Sequence, residues 1–133
     1  MINKELIKKL DDLWNLIIKT KAGFRSELSG REGKVIGGST ILTAHHICGK
    51  PNYRLRYEID NGICLDNDGE HMFGVHNFNP EIAREHQDKI IAYIGEERYE
   101  RLKTLKHRQK KADLKLIEIY LEGEMKKVLK ELK

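Results

Sequence analysis

Thr43-Ala44-His45-His46-Ile47 is followed, fifteen residues after His46, by Asn61-Gly62-Ile63-Cys64-Leu65, and then by His71 and His76. Four of the six histidines thus fall between positions 45 and 76. Thr40 to His46 is short and β-branched and predicts a strand. Cys48 to Arg56, with Gly49, Pro51 and Asn52, reads as a loop. Glu58 to Leu65 turns at Asp60-Asn61-Gly62 and continues as a second strand. Asp66 to Pro80 is rich in Asn, Asp and Gly, so a helix carrying His71 is expected to run only two or three turns.

Cleaving a phosphodiester requires a nucleophile made at neutral pH and a cation that stabilises charge on the scissile phosphate and leaving oxygen. A neutral imidazole can be a metal ligand or a general base. Neighbours on a regular strand point to opposite sides, so His45 and His46 cannot serve identically. If the strand ends there, one can bind metal while the other faces the attacking water. Asn61 does not titrate, but its amide can tie the loop to the strand and orient the base. His71 then supplies a ligand from the following helix, and His76 a further ligand or a phosphate contact. The spacing therefore points to metal-dependent cleavage of nucleic acid.

Outward from this cluster the chain is helical. Leu6, Ile7, Leu10, Leu13, Trp14, Ile17 and Ile18 repeat at three and four and predict an amphipathic helix over residues 3 to 21. Gly23, Gly30, Gly33, Gly37 and Gly38 make residues 22 to 39 a region of turns, with at most a short hairpin near Lys34-Val35-Ile36. Asn79 and Pro80 open a helix with Ile82, His86, Ile90, Ile91 and Ile94 on its inner side and Gly95 at its end. Another helix spans Glu96 to about Arg108, and a last one runs from about Lys110 to Lys133, with Gly123 as its weak point. His86 is expected to pack between helices, and His107, among Lys106, Arg108, Lys110 and Lys111, to be exposed.

A length of 133 residues suits one domain with its own core. Charged residues at 35% and hydrophobic residues at 39% describe a folded, helix-rich chain rather than a disordered one. No apolar run approaches the roughly twenty residues of a membrane span, and the N-terminus lacks the apolar stretch of a signal peptide. The cytoplasm is therefore the expected location, with no membrane partner. A net charge of +4 fits a polyanionic partner, although many proteins of similar charge never touch nucleic acid. Cys48 and Cys64 form no Cys-x-x-Cys pair, which excludes a zinc ribbon built from the chain's own thiolates. They are expected to be free thiols of a reducing compartment, unless pairing of the segments around them brings them together.

The run Leu42-Thr43-Ala44-His45-His46-Ile47-Cys48-Gly49-Lys50, then Leu55-Arg56-Tyr57-Glu58-Ile59-Asp60-Asn61-Gly62-Ile63-Cys64-Leu65, resembles the HNH nucleases, in particular the small phage-type members. The likeness continues through His76-Asn77-Phe78-Asn79-Pro80 and Gly95-Glu96-Glu97-Arg98-Tyr99-Glu100-Arg101-Leu102. It implies an α+β fold, mainly helical, in which a ββα-metal finger is cradled by N- and C-terminal helices. The single domain 1–133 would hold the finger at about 40–78 and a helical extension at about 80–133. By the resemblance His45 is a metal ligand, His46 the general base, Asn61 the orienting asparagine and His71 a second ligand, with His76 a further one. The implied activity is divalent-metal-dependent hydrolysis of DNA. One ion is expected, magnesium first, with manganese, nickel and zinc as other choices.

The chain departs from the family where two Cys-x-x-Cys pairs commonly hold a structural zinc: Ser26 to Gly30 and Asp66 to Gly69 stand there instead. No structural zinc is expected, and packing by the added helices must offset its loss. Lys50, Arg54 and Arg56 form a basic loop suited to gripping the phosphate backbone of DNA. The alternative for that loop is a solvated turn with Arg56 paired to Glu58. Tyr53 and Tyr57 are expected to pack rather than stack on bases. Two rival readings of the whole chain are a non-catalytic DNA-binding or assembly factor keeping a degenerate finger, and a helical interaction protein whose histidines only pack.

Overall fold

The computed structural model describes residues 3–107 and 111–132. The fold is α+β: a two-stranded antiparallel hairpin lies among helices. Helix α1 (Lys4–Lys21) is capped by Asn3, whose side chain accepts from the Leu6 amide, with Glu5 in the first turn and Lys19 and Lys21 in the last. These charges complement the helix dipole. Its buried apolar residues, Leu10, Trp14, Ile17 and Ile18, sit at the predicted helical spacing.

Strands β1 (Leu42–His46) and β2 (Gly62–Asp66) pair in register from Leu42 opposite Asp66 to His46 opposite Gly62. Every residue of β2 is buried, because the hairpin is covered on both faces. Alternation along β2 divides the core. Cys64 joins Leu10, Trp14, Ile17, Tyr57, Leu121 and Val128 on one side, while Ile63 and Leu65 join Ile47, Leu55, Ile90 and Leu102 on the other. Cys64 faces Ala44 across the hairpin, and both cysteines are free.

The structure adds to or corrects three local expectations. The loop before Asn61 is not wholly irregular: Asn52 caps the Leu55 amide and starts a one-turn helix, α2 (Tyr53–Arg56). The element after β2 is a nine-residue π-helix, Asn67–Val75. Helix α5 (Leu114–Glu131) starts later than expected, because Asp113 caps the Lys115 and Leu116 amides. Positions 108–110 of the predicted Lys106 to Lys111 cluster lie outside the described residues.

Helix α3 (Pro80–Ile94) opens at Asn79 and Pro80 and ends at Gly95, as its sequence signals predict, and α4 (Glu96–Lys106) follows directly. Arg98 of α4 donates to the Asp60 and Gly62 carbonyls, anchoring α4 to the start of β2. Among the described residues no helix is long and apolar enough to cross a membrane.

Candidate metal centre

His45, His71 and His76 converge: each offers one ring nitrogen, and the three lie within 4.8 Å of one another. The rings meet edge to face, with centroids 5.2 Å apart for His45 and His71, 5.4 Å for His45 and His76, and 4.5 Å for His71 and His76. His45 comes from the buried end of β1, while the other two come from the π-helix and its C-cap. Helical winding explains how residues five apart share a face. On an α-helix they would lie about 140° apart. In a π-helix the i to i+5 bond sets one above the other, and the His76 amide donates to the His71 carbonyl at 3.0 Å.

The site suits a cation electrostatically. Burial, aided by repulsion from His71, His76 and His46, lowers the pKa of His45 to about 3. Burial and His76 also lower that of His71. Neutral imidazoles are ready ligands, since no proton has to leave first. The Nδ1 atom of His71 is buried and has no hydrogen-bond partner. An unsatisfied buried polar atom costs about 1–3 kcal/mol, and an ion bound at Nδ1 would satisfy it. The residues present therefore fit a metal ion, whose identity the donor set alone does not fix.

His46 takes the other face. Strand β1 stays regular to its end, so alternation turns His46 towards α1, where its ring stacks on Trp14 with centroids 4.0 Å apart and planes 7° apart. Helix α1 comes this close because Gly62, opposite His46, has no side chain: a Cβ there would lie 2.3 Å from Ile18 and 2.9 Å from Trp14. The Nε2 of His46 lies 3.0 Å from the Arg56 carbonyl. A carbonyl only accepts, so Nε2 carries the proton and the lone pair of the neutral ring is on Nδ1. Burial lowers the pKa of His46 to about 4, against the opposing pull of the Arg56 carbonyl.

Asn61 is fully buried. Its Oδ1 accepts from the Cys48 amide, and its Nδ2 donates to the Gly49 and Leu55 carbonyls at 2.9 and 3.0 Å. One side chain thus closes the loop between the strands and holds the backbone next to the Arg56 carbonyl that orients His46. This is the tying role its sequence position suggests.

The basic loop divides. Lys50 and Arg54 are exposed. Arg56 is half-buried, and its Nε and Nη2 donate to the two carboxylate oxygens of Asp11 at 2.9 and 2.6 Å. Its partner is therefore Asp11 of α1 and not Glu58. Tyr53 and Tyr57 stack on each other, and Tyr57 is buried. His86 packs on Gly74 of the π-helix, where a Cβ would lie 2.6 Å from its ring. His107 is exposed.

Two further residues belong to this surround: Trp14, which the sequence marks only as an apolar position of α1, and Asp11, which carries no motif; both reach His46 and Arg56 only through helix packing. The only trace of the π-winding in the sequence is the five-residue step between His71 and His76. No protein-family model, curated protein or solved structure matches this chain.

Proposed function

We propose that this chain is a divalent-metal-dependent endonuclease of the HNH type acting on DNA, with β1, β2 and the π-helix as its ββα finger. The observation that carries the reading is the convergence of His45, His71 and His76 at the end of a hairpin whose next residue is an oriented histidine. Three neutral imidazoles without a carboxylate suit manganese, nickel or zinc better than magnesium, which prefers oxygen ligands. When bound, the ion supplies charge stabilisation for the scissile phosphate and the leaving oxygen.

The chain's own residues do the rest. His46 accepts a proton from the attacking water at Nδ1, while its Nε2–H is held by the Arg56 carbonyl. Asn61 fixes the loop that carries that carbonyl, and Trp14 restrains the ring plane. Lys50 and Arg54 contact the backbone phosphates, and Arg56 stays with Asp11 as a brace between α1 and the loop.

The stack of His46 on Trp14 favours a second reading. A ring packed on the face opposite the three histidines also suits a DNA-binding or assembly factor without turnover. Nicking of supercoiled plasmid across manganese, nickel, zinc and magnesium, with His46→Ala as control, separates the two. Metal-dependent nicking lost in the variant supports the nuclease. Metal binding and DNA binding without nicking supports the factor.

A further inference from the structure

The turn before the hairpin is tied to the helix that carries His71 by a set of part-buried polar contacts. Ser26 is 2% exposed, and its hydroxyl donates to Glu70 Oε1 at 2.5 Å while accepting from the Ser29 and Leu28 amides. The same Glu70 oxygen accepts from the Asp66 amide at 2.7 Å. Asp66, 7% exposed, caps the π-helix with Oδ1 on the Asp68 and Gly69 amides, each at 3.0 Å. Its Oδ2 meets Arg31 at 3.1 Å. The Ser26 amide donates to the Arg31 carbonyl, which closes the loop of contacts. The turn is also sewn to β2, since Glu27 and Cys64 exchange two hydrogen bonds, one through the Glu27 carboxylate.

We infer that Ser26, Asp66 and Glu70 form a clasp that positions His71 for metal, with Glu70 as its centre. This rests on the metal centre proposed above. Glu70 is the residue before His71, so the carboxylate that reaches across to Ser26 also fixes the backbone from which His71 projects. A π-helix has few intrinsic means of holding its winding, and this one contains Gly69 and Gly74. Its first turn is set by side-chain hydrogen bonds rather than by helix propensity. Without them the i to i+5 stacking that brings His71 over His76 has no anchor at its N-terminal end. Charge-assisted bonds to a carboxylate are the stronger kind, and burial of Ser26 and Asp66 keeps water from competing.

The test is calorimetric titration of the full chain with zinc, together with the absorption spectrum of cobalt(II) added in its place. Glu70→Ala is expected to bind zinc about tenfold or more weakly, the range seen when groups supporting a ligand are removed, and to give an altered cobalt band. Ser26→Ala should shift both in the same direction by less. Glu70→Gln should recover most of the affinity, because an amide oxygen accepts the same two hydrogen bonds. Val128→Ala, which loosens packing between α1 and α5, controls for lost stability and should leave zinc affinity unchanged. Wild-type affinity in Glu70→Ala, or an equal loss in Val128→Ala, overturns the clasp alone. A wild-type chain that binds neither zinc nor cobalt overturns the metal centre and the clasp with it.

Discussion

The Trp14 indole lies flat on the His46 imidazole, with centroids 4.0 Å apart, so the helix at one end of the chain restrains the histidine that ends the first strand. His45, one residue earlier, faces away towards His71 and His76. The two histidines should therefore separate in experiment. His46→Ala is expected to retain metal and lose about a hundredfold or more in nicking rate, the scale of a positioned general base. His45→Ala should lose both. Calorimetry showing that the His46 variant is the one that fails to bind metal would reverse the assignment.

Gly74 allows the π-helix to dock on α3. A Cβ there would lie 2.6 Å from the His86 ring and 3.0 Å from the Gly69 carbonyl. Gly74→Ala is expected to cost about 1–3 kcal/mol, as overpacking does, and to weaken metal binding because His71 and His76 flank the disturbed turn. Urea denaturation reads the first effect and zinc titration the second. An unchanged midpoint would mean that α3 yields freely.

Acid should destabilise the metal-free protein through His45, which is buried, and His46, which is partly so. His45 and His46 are held at about 3 and about 4 in the folded chain, against about 6.5 when unfolded. Between those values the unfolded chain binds protons that the folded chain does not, so stability rises with pH. This contribution is fully present above about pH 6.5 and is lost as pH falls through the folded values. Urea midpoints measured from pH 7.5 to 4.5 should decline, and less steeply in a His45→Asn, His46→Asn double variant. Equal slopes in the two proteins would count against neutral buried imidazoles.

Arg56 and the pair Lys50 and Arg54 should behave differently. Replacing Lys50 and Arg54 with Ala is expected to weaken DNA binding about equally for all sequences and to flatten its salt dependence by up to about two units of slope, since phosphate contacts release counterions but read no bases. Arg56→Ala should instead lower thermal stability, by leaving the half-buried Asp11 carboxylate without its two donors. A Lys50, Arg54 variant with an unaltered salt slope would remove this loop from the proposed DNA interface.

Chelator should empty the metal site without unfolding the chain. Two apolar clusters pack against the hairpin from opposite faces, and neither contains the three histidines. The helical circular dichroism is expected to persist in EDTA, with zinc affinity restored after dialysis. Loss of the helical signal would show that the fold depends on a metal.

Much of this molecule was legible in one dimension. The apolar spacing of Leu10, Trp14 and Ile17, the caps at Asn3 and Asn79 and the stop at Gly95 are local features, so the helices they define could be read directly. The alternation rule likewise separated His45 from His46, and the interval to Asn61 marked the residue that closes the loop. What the chain could not announce depends on partners distant in sequence. Asp11 pairs with Arg56, which the sequence set in the phosphate-gripping loop with Glu58 as its alternative partner, because packing of α1 brings that carboxylate within 2.6 Å. Ser26, Ser29, Asp66 and Gly69, which come from two segments far apart in sequence, all take part in the hydrogen bonds that join the turn before the hairpin to the π-helix. The joining of His71 and His76 across five residues required π-winding, which no propensity favours and which the docking of Gly74 on His86 and the bonds of Glu70 and Asp66 accompany. Local periodicity follows from the geometry of a few neighbouring peptides, whereas the convergence of three imidazoles depends on how those pieces are packed.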